Sequence, residues 1–231
     1  MMFTEFSKPI EHNTVLNPKI WDHDTLKGPI KGSLLGTVQD FIKFLDIPLT
    51  VVDVVITGGN ANYTYTNKSD IDLHIIADLS NVPCDREIHE LLDTKRLLYK
   101  RKYDITAYGI PVEVYVEDLN HTDLVSAGCY SILKDKWIRT PQKGIQYDEK
   151  SVKAMVKTWK TVLKGAISTG SLQACRKAVQ LLKSYRQQGL KTDQGEFSTP
   201  NLVYKSLRND LTLEGILTFI EQLHGQELSL K

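Results

Sequence analysis

Asp70 and Asp72 stand at alternating positions in the run Ser69-Asp70-Ile71-Asp72-Leu73-His74-Ile75-Ile76. On an extended strand, side chains at i and i+2 share a face. Both carboxylates therefore project to one side, while Ile71, Leu73 and Ile75 enter a core on the other. Two like charges side by side repel, and a divalent cation between them removes that cost. Upstream, the apolar run Val51 to Ile56 leads to the pair Gly58-Gly59. A double-glycine turn lets backbone amides approach phosphates closely, and a helix beginning at Gly59 would aim its N–H groups at the same phosphates. The combination reads as metal-dependent phosphate chemistry.

The segment Ile110-Pro111-Val112-Glu113-Val114-Tyr115-Val116 also alternates, with Glu113 opposite the apolar face of Val112, Val114 and Val116. Glu117 shares the Glu113 face. Thr57-Gly58-Gly59, an intervening loop and Ser69-Asp70-Ile71-Asp72-Leu73 resemble the signature of the nucleotidyltransferase superfamily. That superfamily includes DNA polymerase beta, the CCA-adding enzymes, the antibiotic nucleotidyltransferases and small phage-encoded members. The resemblance implies Mg²⁺-dependent transfer of a nucleoside monophosphate from an NTP, ATP by default, to a hydroxyl, with release of pyrophosphate. It implies that Asp70 and Asp72 ligate one or two Mg²⁺ ions (Mn²⁺ as a substitute) and the triphosphate. It also implies a third carboxylate, Glu113 or failing that Glu117, which helps bind the second ion and deprotonate the acceptor. Gly58 and Gly59 would cradle the nucleotide; many members carry serine at the second position, so Gly59 lacks a hydroxyl contact. The plain alternative is three surface carboxylates that happen to fall on strands.

These groups need strands and helices to hold them. Leu34, Val38, Phe41, Ile42 and Leu45 fall at helical spacing and predict a helix over 31–46, stopped before Pro48. Strands are expected at 51–57 and 70–77, with a short helix from Gly59 between them. Ile88, Leu91, Leu92, Leu98 and Tyr99 predict an amphipathic helix over 86–102, and Gly109 centres a hairpin of 103–108 with 110–116. From residue 121 the pattern predicts helices only. Val152, Met155, Val156, Trp159, Val162 and Leu163 form one stripe, and Leu172, Ala178, Leu182 and Tyr185 a second. Shorter helices follow over 201–209 and 211–224.

The expected architecture is thus an α/β nucleotidyltransferase-like mixed sheet followed by an all-helical C-terminal domain. Residues 1–120 would be catalytic, and residues 121–231 would complete the nucleotide and acceptor cleft. In the helical part, Ser198 or Thr199 can cap a helix with Pro200 in its first turn. Lys205 and Arg208 share a face of that helix and are candidates for the triphosphate, or simply solvated cations. Arg176, Lys183 and Arg186 form a second basic stripe. His74 lies on the aspartate face, as a substrate contact or as a partner that neutralises carboxylates. Tyr63 and Tyr65 can stack on a base or pack.

Charge is divided unevenly: residues 1–120 hold 18 acidic and 12 basic residues, and residues 121–231 hold 10 and 17. An acidic part that gathers metal and a basic part that gathers phosphate suit nucleotide handling, although helical surfaces are often lysine-rich in any case. No apolar run approaches a membrane span, and the N-terminus lacks the pattern of a secretory signal. Three widely spaced cysteines, Cys84, Cys129 and Cys175, point to reduced thiols in a cytoplasm, the host's for a phage-encoded protein. An NTP is the expected partner, with a small molecule or protein ranked above an RNA 3′ end as acceptor. The competing function is a catalytically silent nucleotide-binding module, regulatory or antitoxin-like.

Overall fold

The structure, a computed structural model, describes residues 13–80, 85–121, 127–143 and 147–229. The chain divides into two compact units at residues 144 and 145. Among the described residues of the first unit, six strands form one mixed sheet. They are β3 (Thr50–Thr57), β4 (Ile71–Asp78), β5 (Thr106–Ala107), β6 (Ile110–Asp118), β7 (Cys129–Ser131) and β8 (Lys136–Arg139), in spatial order β5-β6-β4-β3-β7-β8. A two-stranded ribbon, β1 (Trp21–Asp22) with β2 (Thr25–Leu26), precedes them. β4 runs antiparallel to β3 and parallel to β6.

The alternation of β4 puts Ile71, Leu73 and Ile75 at full burial in the main core. Each such side chain contributes roughly 1.5–3 kcal/mol relative to exposure. Helix α1 (Gly28–Leu45) supplies Ile30, Leu34, Val38, Phe41 and Leu45 to that core. It ends at Asp46, which takes a left-handed conformation with φ 55° ahead of Pro48. Helix α2 (Asp85–Lys102) contributes Ile88, Leu92 and Tyr99. Leu91 and Leu98, expected on its apolar face, are instead 43% and 51% exposed. The hairpin turns at Tyr108 and Gly109, both with positive φ (51° and 76°), the backbone of a tight primed turn that follows strand twist.

β7 and β8 correct the expectation of helices only after residue 121. They extend the sheet through β3, where a buried carboxylate anchors them. Ser131 Oγ donates to Asp53 Oδ1 at 2.7 Å, and the Lys134 ammonium lies 2.8 Å from Asp53 Oδ2. A buried charge survives only when paired in this way.

The second unit packs α3 (Glu149–Ser168), α4 (Leu172–Leu190), α5 (Thr199–Asn209) and α6 (Thr212–Leu228). Asp148 and Ser171 cap α3 and α4 by accepting from the Ser151 and Ala174 N–H groups. Val152, Val156, Leu163, Leu182, Leu202 and Leu207 are among the buried residues of its core, whereas Val162 is exposed. Ser198 occupies the α5 cap position without making the expected capping bond. Its hydroxyl lies against Gly189, where an added Cβ would come within 2.5 Å of it. Cys129 and Cys175 are free and buried; Cys84 lies outside the described residues. Among the described residues no helix is long and apolar enough to cross a membrane.

Candidate active site

Parallel pairing of β4 with β6 sets Asp72 directly beside Glu113, His74 beside Tyr115 and Ile76 beside Glu117. On the other side of β4, Thr57 of β3 lies opposite Asp72. Paired residues share a sheet face, so Thr57, Asp72 and Glu113 form one row across three strands. Asp70 immediately precedes β4, and its side chain is among the groups that lower the Glu113 pKa. The structure therefore sets Asp72 and Glu113 side by side, with Asp70 at the entry to β4.

Gly58 closes the spot from β3. Its φ of 74° and ψ of −159° fall in a region essentially restricted to glycine. A Cβ added there would sit 1.8 Å from Asp72 Oδ2. The glycine is thus required twice, by backbone conformation and by contact with a site carboxylate. Gly59 faces the Ser69 hydroxyl, 3.3 Å from where its Cβ would be. The helix expected from Gly59 is only a single 3-10 turn, Gly59–Ala61, because Asn62 returns to an extended conformation. It is too short to act as a helix N-terminus for phosphate.

Glu113 is held by several groups. Burial raises its proton affinity, but Lys100 Nζ donates to Oε1, the Tyr115 hydroxyl donates to Oε2 at 2.7 Å, and Asp70 assists. Together they keep its carboxyl below the usual glutamate range. Burial and the adjacent Glu113 and Asp72 charges push the Tyr115 phenol far above its ordinary value, so it remains a neutral donor. The Tyr115 ring stacks on His74 at 4.7 Å, and the Arg96 guanidinium lies 4.8 Å from its centroid.

Glu117 is occupied elsewhere. Its Oε1 lies 2.9 Å from His74 Nδ1, so the fallback third carboxylate is paired with the histidine expected to neutralise a neighbour. Tyr63 is buried, with the Lys143 ammonium 5.2 Å from its ring centroid; it packs instead of offering a stacking face. Lys205, half-buried, and Arg208, exposed, lie on α5 in the helical unit. Arg186 of the second basic stripe is absorbed into packing there, donating to Asn201 Oδ1 at 3.0 Å and lying 4.5 Å from the Tyr204 ring centroid.

Among the described residues no group of three or more His, Cys, Asp or Glu side chains is disposed to hold a metal outright. Magnesium ordinarily takes one or two carboxylates and completes its octahedron with phosphates and water. Asp70 and Asp72, two oxygen-donor carboxylates at the start of β4, match that complement in donor type. Sequence reasoning missed Lys100, Tyr115 and Asn60 in this neighbourhood. Tyr115 was within reach, since it shares the i+2 face with Glu113.

No protein-family model matches the chain, and no curated protein matches it. Among solved structures, the STING-associated CdnE c-di-GMP synthase from Capnocytophaga granulosa is similar at 13% identity and a TM-score of 0.23, over 87% of this chain and 83% of that one. A likeness of that size is too slight to bear on activity.

Proposed function

We propose that this protein is a divalent-metal-dependent nucleotidyltransferase that moves a nucleoside monophosphate from an NTP to a hydroxyl acceptor. The observation that carries the reading is that Asp72 and Glu113 stand side by side in one row, with Asp70 just ahead of β4 and Gly58 fitted against Asp72. Asp70 and Asp72 would hold Mg²⁺, with Glu113 beside them. The bound ion would polarise the α-phosphate and offset its charge.

In the transfer, the acceptor oxygen bonds to the α-phosphorus while the bond from that phosphorus to the bridging oxygen breaks. Pyrophosphate leaves with the electron pair. Glu113 takes the acceptor's proton once Lys100, whose side chain is 57% exposed, releases Oε1. Tyr115 remains on Oε2 and fixes the carboxylate plane. ATP is the default donor, and the acceptor is a small molecule or a protein side chain ahead of an RNA 3′ end.

The test is incubation of the protein with each α-labelled NTP, Mg²⁺ or Mn²⁺ and a cell extract. The reading expects label to pass to one acceptor species, identified by mass. Absence of transfer with every NTP and both metals would remove it.

A further inference from the structure

Asn60 is the central residue of the 3-10 turn Gly59–Ala61, at the start of the loop that leads to Asp70, and it is completely buried. A buried amide must satisfy two donors and an acceptor. Its Nδ2 donates to the Asp70 carbonyl oxygen at 2.7 Å, and more weakly to the Ser69 carbonyl at 3.4 Å. Its Oδ1 accepts from Asn17 Nδ2 at 2.8 Å, and its own carbonyl accepts from Trp21 Nε1 at 2.7 Å.

The partners fix the orientation of both amides. The Lys19 N–H can only donate, and it reaches Asn17 Oδ1 at 3.1 Å. Asn17 must then turn its NH₂ toward Asn60, which leaves the Asn60 NH₂ for the Asp70 carbonyl, an obligate acceptor. No link in this chain can be reversed without setting two donors or two acceptors face to face. One step upstream, Asn13 ties the same loop, its N–H donating to the Tyr63 carbonyl and its Nδ2 to the Tyr65 carbonyl, both at 2.8 Å.

We infer that Asn60 is a positioning residue for Asp70, and that Asn17 and Trp21 brace it, so that the segment before α1 belongs to the metal site. The inference rests on the proposed metal-dependent reading and deepens it. Asp70 stands where the loop enters β4, so the reach of its carboxylate toward Asp72 and Glu113 depends on where its backbone is pinned. Groups that orient metal ligands typically change metal affinity ten- to a hundredfold when removed.

The test measures Mn²⁺ binding to the full chain by electron paramagnetic resonance, for wild type, Asp70→Asn, Asn60→Ala and Asn17→Ala, each first shown to be folded by circular dichroism. The expected result is loss of binding in Asp70→Asn, an affinity about tenfold weaker in Asn60→Ala, and a smaller loss in Asn17→Ala. If wild type and Asp70→Asn bind alike, or neither binds, the metal-dependent reading itself fails. If Asp70→Asn alone loses binding while Asn60→Ala and Asn17→Ala match wild type, the positioning role is overturned and the reading stands. Should Asn60→Ala fail to fold, Asn17→Ala decides together with hydrogen exchange on the metal-free wild type. There the amides of Ala61, Asn62 and Tyr63 should exchange as slowly as those of β4, and exchange at exposed-loop rates would contradict a braced loop.

Discussion

A Cβ placed on Gly58 would lie 1.8 Å from Asp72 Oδ2 and 2.9 Å from its Cγ, so the second site aspartate is seated directly on a glycine backbone. Gly58→Ala therefore faces two separate costs, a side-chain collision and a backbone conformation worth roughly 1–3 kcal/mol of strain on its own. Urea unfolding should show the variant destabilised by more than the strain alone. In an Asp72→Ala background the nearest remaining atom is the residue-72 Cβ, at 3.4 Å, and only the strain should persist. A double-mutant cycle with no coupling between the two positions would contradict the contact.

Glu113 and Glu117 share a sheet face but not a role. Glu113→Ala should abolish transfer. Glu117→Ala should leave transfer within a few-fold of wild type, because its carboxylate is paired with His74. The measurement is kcat/KM for the NTP in each variant, and equal losses in both would assign the third carboxylate wrongly.

The depressed Glu113 pKa makes a directional claim about acid stability. A carboxyl whose folded-state pKa lies below its unfolded value stabilises the fold when ionised. The contribution is complete above the ordinary value of 4.5 and is lost as pH falls below it, through the folded-state value. Thermal melts from neutral pH downward should show Glu113→Gln losing less stability on acidification than wild type. Lys100→Met should behave likewise, since it removes the charge that helps hold Glu113 ionised. Parallel pH profiles for all three proteins would contradict the Lys100–Glu113 pairing.

How much of this was legible in sequence follows from element length and from the face each residue takes. β3, β4 and β6 are long enough for alternation to show, and the phase of Glu113 against Val112 and Val114 was readable for the same reason. β7 and β8 are only three and four residues long; they owe their place to pairing and to the Asp53–Ser131 bond across 78 positions, which no local pattern encodes. Leu91 and Leu98 read as core because composition does not say which flank of α2 meets the sheet. Nothing in the sequence singles out Asn60, whose partners Asn17 and Trp21 stand 43 and 39 positions away. Ser198 carried a capping signal but makes no capping bond, its hydroxyl lying against Gly189.

The central claim is that Asp70 and Asp72 make this fold a metal-dependent nucleotidyltransferase, and pyrophosphate release tests it most directly. With NTP, acceptor-containing extract and Mg²⁺, wild type should release pyrophosphate in step with labelling of the acceptor. Chelation with EDTA should stop it, and Asp72→Asn, which keeps side-chain shape and removes the charge, should stop it as well. Nucleotide bound without turnover by wild type would mark the silent nucleotide-binding module instead, and release undiminished in Asp72→Asn would contradict the account outright.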